Sequence, residues 1–304
     1  MQNVNATPSS AIRGEKLGLG ILLTILGGVG WGFSGACAQF LFSRYGVDPG
    51  WVICVRLTGA GLVFLTVAAL ADRANLRRAV SSPGVLARIA GYSLGGLTLC
   101  MVCYLNAIRV SNAGTATVLQ ALNLLIILVV TCVQLRRHPS KKEVVGVGLA
   151  LVGTFLIATH GQIGELALTP QALGWGLATA VAAALYTLLP AKLLHEYGAI
   201  VTTGLAMLVG AIVAWPLFRP WEVMPTLDAG GWLAVVGIIV VGTVASYFMF
   251  LTGVRMIGSM LAGLFACTEP ITAGILSFAW LGTAFAPIDL VGMGLIIVMM
   301  FLMV

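Results

Sequence analysis

Runs of roughly 20 residues without a charged side chain, enough to cross a bilayer as one helix, recur along almost the whole of this chain. Where the backbone has no water to bond, only helices and closed barrels are viable. Barrel strands alternate apolar and polar residues, whereas these runs are solidly apolar. The pattern predicts an all-α integral membrane protein with ten transmembrane helices, approximately Leu17–Phe42, Asp48–Ala71, Val85–Ile108, Asn112–Leu135, Val144–Thr159, Pro170–Leu194, Ala199–Phe218, Gly230–Val254, Gly258–Leu281 and Pro287–Val304. Only 9% of residues are charged, against about 25% in soluble domains, so a water-soluble fold could not cover its surface. The longest connections, Asp72–Arg88, His160–Thr169 and Arg219–Ala229, leave no room for a soluble domain.

The net charge of +6 is orientation rather than a nucleic-acid footprint. With the N-terminus inside, one set of loops holds twelve basic residues: Arg13, Lys16, Arg73, Arg77, Arg78, Arg88, Arg136, Arg137, Lys141, Lys142, Lys192 and Arg255. The other set holds three, Arg44, Arg109 and Arg219. That asymmetry predicts both termini in the cytoplasm and the lipid bilayer, not nucleic acid, as the partner. Residues 1–16 read as a cytoplasmic tail ahead of an uncleaved first helix, whose apolar stretch is too long for a signal peptide. All six cysteines fall inside apolar spans, so Cys100-x-x-Cys103 reads as small membrane-embedded residues rather than a redox or zinc pair. No cofactor or metal is expected.

The chain also repeats itself. Glu143-Val-Val-Gly-Val-Gly-Leu149 returns as Asp289-Leu-Val-Gly-Met-Gly-Leu295, an offset of 146 residues. Arg109 falls on Arg255 and Phe155-Leu156 on Phe301-Leu302 in the same gapless register. Earlier in each half the offset is 152, matching Tyr45-Gly46 with Tyr197-Gly198. These matches predict two five-helix repeats, 17–160 and 161–304. An odd number of spans inverts the second in the membrane, a plan that points to alternating access with the site between the halves.

Ionisable groups inside a bilayer are expensive, about 2.5–3.5 kcal/mol on insertion scales. Glu269 is the one acidic residue at mid-span. Two roles stay open for it: a cavity group that binds substrate or a proton, or a structural partner for backbone freed by Pro270. Its repeat counterpart is Asn123, three residues after Gln120 on one helix face. Trp31, Met101, Tyr104, Tyr186 and Tyr247 complete an expected substrate-binding set with Gln120, Asn123 and Glu269, in which Ser34 lies beside Trp31. For each of these aromatic residues, plain helix packing is an equal reading. Trp51, Trp221 and Trp232 read as interfacial anchors, Arg56 as a residue snorkelling to the surface, with substrate-anion binding as its alternative, and Gly28/Gly32 and Gly91/Gly95 as close-packing pairs. Pro190 is expected to kink the sixth span.

These residues resemble the EamA-type branch of the drug/metabolite transporter superfamily over essentially the whole chain. The resemblance is carried by the two-repeat layout, Gly30-Trp31-Gly32-Phe33, Arg56, Glu269-Pro270 and the paired Gly146/Gly292. Within that branch the chain is most similar to amino-acid exporters of the YddG type. The resemblance implies a secondary-active or facilitative exporter of amino acids or related metabolites in a bacterial-type inner membrane, monomeric or weakly dimeric. Where the family often ends its fourth and ninth helices with Leu-Gly-Glu, this chain has Leu135-Arg136-Arg137 and Leu281-Gly282-Thr283, so a charge-dependent coupling mechanism does not transfer. Exchange of sugar phosphates or nucleotide sugars, the alternative, wants several fixed cations, and one Arg sits inside a span. An intramembrane enzyme needs a buried catalytic set, yet His138, His160 and His195 all lie in loops.

Overall fold

The computed structural model describes residues 10–160, 167–258, 262 and 265–303. Every regular element among them is helical: α1 (Ser10–Tyr45), α2 (Pro49–Ala71), α3 (Arg73–Val80), α4 (Pro83–Val110), α5 (Ala113–Leu135), α6 (Lys141–Thr159), α7 (Pro170–Tyr197), α8 (Ala199–Phe218), α9 (Ala229–Ile257), α10 (Thr268–Ala279) and α11 (Pro287–Met303). Eight of these, α1, α2 and α4–α9, are long and apolar enough to cross a membrane. The helix α11 is apolar and shorter. Part of the ninth expected span, like most of the expected N-terminal tail, lies outside the described residues. The protein is a multi-pass membrane protein. Its outer surface agrees, since large apolar side chains such as Leu70 (84% exposed) and Val133 (72%) stand outward where a soluble protein would carry charge.

Helix ends are set locally. Asp48, Asn112, Ser140, Thr169 and Asp228 each accept a backbone N–H of the first turn that follows, at α2, α5, α6, α7 and α9. Ser140 and Glu143 form a reciprocal capping box. Gly46 and Gly198, matched in the sequence repeat, both take positive φ (63° and 77°) where α1 and α7 end. Leu189 and Pro190 form a turn inside α7, as the proline foretells. The short basic helix α3, in a segment expected to be loop, packs its Ala79 inward. Two spans contain π-helix, α4 over Ser93–Thr98 and α9 over Gly237–Ala245. Such stretches are rare and gather at functional sites.

Packing places α1 at the centre. It runs against α9 and α10 and touches α4 and α5, while α2 pairs with α8 and α6 with α11. A Cβ on Gly28 would lie 2.2 Å from Thr268 Oγ1, and one on Gly32 would lie 2.6 Å from the Glu269 carbonyl oxygen. These two glycines therefore let α1 reach the backbone of α10. Gly91 has nothing within 4 Å and Gly95 only Leu189 Cδ1, so that expected pair does not mediate a close crossing. Trp51 departs from its expected interfacial role. It is 3% exposed, its indole N–H points at Met224 Sδ (3.4 Å), and its ring lies edge-on to Trp232. Trp221 and Trp232 are exposed.

Candidate functional site

The bundle encloses a cavity of about 190 Å³ lined from α1, α2, α4, α5, α7, α9 and α10. Its wall contains Trp31, Met101, Tyr104, Gln120, Asn123, Tyr186, Tyr247 and Glu269, so the structure brings all eight expected side chains to one place. A neighbouring space of about 280 Å³ shares Trp31, Gln120, Asn123, Thr187 and Glu269 and runs on to Ile127 and Met300.

Local backbone explains the polar edge. The helix α5 tightens at Ala121–Leu122, where Leu122 N–H donates to Leu119 O (3.1 Å) and Leu125 N–H to Leu122 O (3.0 Å). These i→i−3 bonds are those of a 3₁₀ turn, in which residues three apart eclipse one another. Gln120 and Asn123 flank that turn and face the same cavity. Cys267, 146 residues beyond Ala121, has nearly the same backbone (φ −58°, ψ −10° against −62° and −15°) and stands just before α10. Glu269 is thus in the first turn of α10 as Asn123 is at the restart of α5. The break in α5 carries no proline, so Pro270 is not needed to make one. Nor does the Glu269 carboxylate serve the backbone beside Pro270, because it has no hydrogen bond or ion pair among the described residues.

Aromatic residues form the opposite wall. Trp31 sits edge-on to Tyr247 at 5.4 Å and tilted on Phe250 at 5.0 Å. The Tyr186 and Tyr247 hydroxyls bond directly, tying α7 to α9, and Tyr92 stacks on Tyr186. The Tyr104 hydroxyl donates to Thr117 Oγ1 (2.9 Å), whose own proton goes to Ala113 O (2.7 Å). Gly35 makes room for it, since a Cβ there would be 2.6 Å from the Tyr104 oxygen.

Arg56 faces the cavity, not the surface that its leading sequence reading gave it. It lines the cavity instead of snorkelling, with Nε donating to Thr243 Oγ1 at 3.0 Å. A charge inside an apolar span signalled it, but its direction depends on a partner 187 residues away. Cys100, Thr187, Leu97 and Ala183 also line the wall, and nothing in their sequence context marks them. Among the described residues no cluster of three or more His, Cys, Asp or Glu could hold a metal.

Gln39 ties three helices together away from the cavity wall. Its Oε1 accepts from Ala113 N–H (2.8 Å) and the Ser277 hydroxyl (2.9 Å), and its Nε2 donates to Thr283 Oγ1 (2.8 Å). This joins α1, α5 and α10. Beyond the tight turn, α5 loosens: every residue from Ala113 to Leu119 is buried, but only Leu128 after Asn123.

The profile of the EamA-like transporter family matches this chain twice, over residues 18–159 and 171–304. The chain belongs to the EamA-like transporter family. Among its relatives, the uncharacterized inner membrane transporter YicL of Salmonella typhimurium is 31% identical over 278 residues, 91% of this chain and 92% of the relative. The uncharacterized transporter YyaM of Bacillus subtilis is 25% identical over 203 residues, 62% of this chain and 64% of that one. A crystal structure at 17% identity superimposes with a TM-score of 0.59 over 97% of this chain and 96% of its own, a likeness of fold alone. Family and relatives together make this protein a membrane transporter.

Proposed function

We propose that this member of the family is a secondary-active or facilitative exporter of amino acids or similar small metabolites in a bacterial inner membrane, working by alternating access. The observation that carries the reading is the single cavity walled by all eight expected side chains. Its walls come from α1, α4 and α5 of residues 17–160 and α7, α9 and α10 of residues 161–304. Volumes of about 190 Å³ and, in the neighbouring space, about 280 Å³ are each below the roughly 300–1,000 Å³ of drug-sized pockets and suit a small solute. In this reading the chain is a cytoplasmic tail at 1–16 followed by ten spans in two inverted five-helix repeats, a plan that many alternating-access transporters share. The double family match, the paired backbone at Ala121 and Cys267, and π-helix in both α4 and α9 support the duplication. The name of the Salmonella relative supports the inner membrane.

The decisive test is uptake of a panel of radiolabelled amino acids into proteoliposomes, with and without a pH gradient. Saturable movement of at least one of them is expected. Accumulation that needs the gradient would identify secondary-active coupling, and equilibration without it facilitated diffusion. Movement of sugar phosphates in preference to every amino acid would refute the reading.

A further inference from the structure

We propose that Arg56 and Glu269 are the two poles of a zwitterion site, the guanidinium holding the substrate carboxylate and the Glu269 carboxylate its ammonium group. This deepens the transporter reading above and rests on it. Several charges pair where the helices meet water: Arg88 with Glu196, Arg109 with Asp48, Arg137 with Glu143. In the cavity they do not. Both Arg56 and Glu269 line it, yet they form no ion pair within 4.0 Å, and neither has another charged partner among the described residues.

Each pole is held in place for a ligand. Thr243 is fully buried and passes its own proton to Ile238 O (2.8 Å), so its oxygen is free to accept from Arg56 Nε. That bond uses the inner edge of the guanidinium and leaves its two terminal nitrogens, the fork that grips a carboxylate, without a partner among the described residues. Glu269 lies in the first turn of α10, where the helix's positive end favours a negative side chain. Ser34 Oγ, buried in the same wall, also lacks a hydrogen-bond partner.

With Glu269 ionised beside a bound ammonium group, one positive and one negative pole select by cancellation. A monoanion would satisfy Arg56 and leave Glu269 uncompensated in a water-poor site, and a monocation would do the reverse. A neutral dipolar molecule satisfies both. Away from the amides of Gln120 and Asn123, the wall is aromatic and apolar at Trp31, Met101 and Tyr104 and would contact the side chain without reading it closely.

The test takes whichever amino acid wild-type proteoliposomes move fastest and compares it with its α-carboxamide, a monocation, and its N-acetyl derivative, a monoanion. The free amino acid should move at least about tenfold faster than either capped form, a difference of about 1.4 kcal/mol. Arg56→Gln should lose the preference against the carboxamide and keep that against the N-acetyl form. Glu269→Gln should do the opposite. If either neutral variant fails to fold, Arg56→Lys and Glu269→Asp carry the test: each keeps its charge, so the free amino acid should still be preferred over both capped forms, less strongly in Arg56→Lys because lysine lacks the fork. Equal movement of free and capped forms, a variant that loses both preferences together, or loss of preference in a charge-retaining variant overturns this proposal while leaving the transporter reading intact. Movement of no amino acid, free or capped, sinks both.

Discussion

The crossing of α6 and α11 offers a prediction whose sign reverses within two residues. A Cβ on Gly292 would lie 2.8 Å from Gly153 O and 2.8 Å from Ile157 Cγ1, while a Cβ on Gly294 would meet nothing within 4 Å. Replacing a helical glycine by alanine gains about 0.5–1 kcal/mol of backbone entropy and propensity. At Gly294 that is the whole effect, so Gly294→Ala should stabilise by about that amount. At Gly292 the new methyl meets backbone that has no rotamer to yield. Overpacking typically costs about 1–3 kcal/mol, so Gly292→Ala should come out roughly 1 kcal/mol less stable than wild type. The contact is mutual, since a Cβ on Gly153 would lie 2.7 Å from Gly292 O. Gly153→Ala should therefore also destabilise, and the double variant should cost less than the sum, because one separation of the helices relieves both clashes. Thermal unfolding of purified protein in detergent, followed as loss of monodisperse material, reads all four. If Gly292→Ala matched or exceeded wild type, the close crossing of α6 and α11 would not be what holds this corner together.

Further outcomes follow from other contacts. Gln39→Ala leaves the Ala113 N–H and Thr283 without their partners and should cost about 1–3 kcal/mol; unchanged thermal stability would mean that water replaces the amide freely. The Asp228 carboxyl is held below its ordinary value by the Tyr45 hydroxyl first and the Gly231 N–H second, so its contribution is present above the ordinary carboxylate pKa of about 3.9 and lost as pH falls through the lowered value. Tyr45→Phe should accordingly be less stable near neutrality, with the gap to wild type closing below about pH 4; a gap constant in pH would refute the linkage. Reporter fusions at the C-terminus should report the cytoplasm, and an external signal would overturn the orientation drawn from the twelve-to-three basic asymmetry.

Much of the fold was legible because the bilayer leaves so few choices. Uncharged runs marked the spans, and two of the starts read from them, Asp48 and Asn112, are the residues that cap α2 and α5. The wall of the cavity was legible for a related reason: a polar or aromatic group at mid-span, such as Asn123 or Tyr247, has little to gain from lipid. Arg56 stayed open between two readings, because an arginine that snorkels and one that points inward look alike until Thr243 is known to face it. Trp51 misled for the opposite reason, since nothing local announces that Met224 and Trp232 will cover an indole near a helix start. The tight turn at Ala121–Leu122 carries neither Gly nor Pro, so no breaker signalled it.

The π-helical stretch in α9 bears on how this chain's lineage should be read. A π-turn is in effect one residue inserted into a helix without breaking it, and a residue in an α-helix advances the face by about 100°. A relative whose counterpart of α9 is α throughout would be one residue shorter between Gly237 and Ala245. An ungapped alignment across that stretch would turn every later position of α9 away from its true counterpart, Tyr247 among them. Apparent loss of this tyrosine in a distant cousin is therefore to be checked for a single-residue deletion before it is counted as a change of substrate.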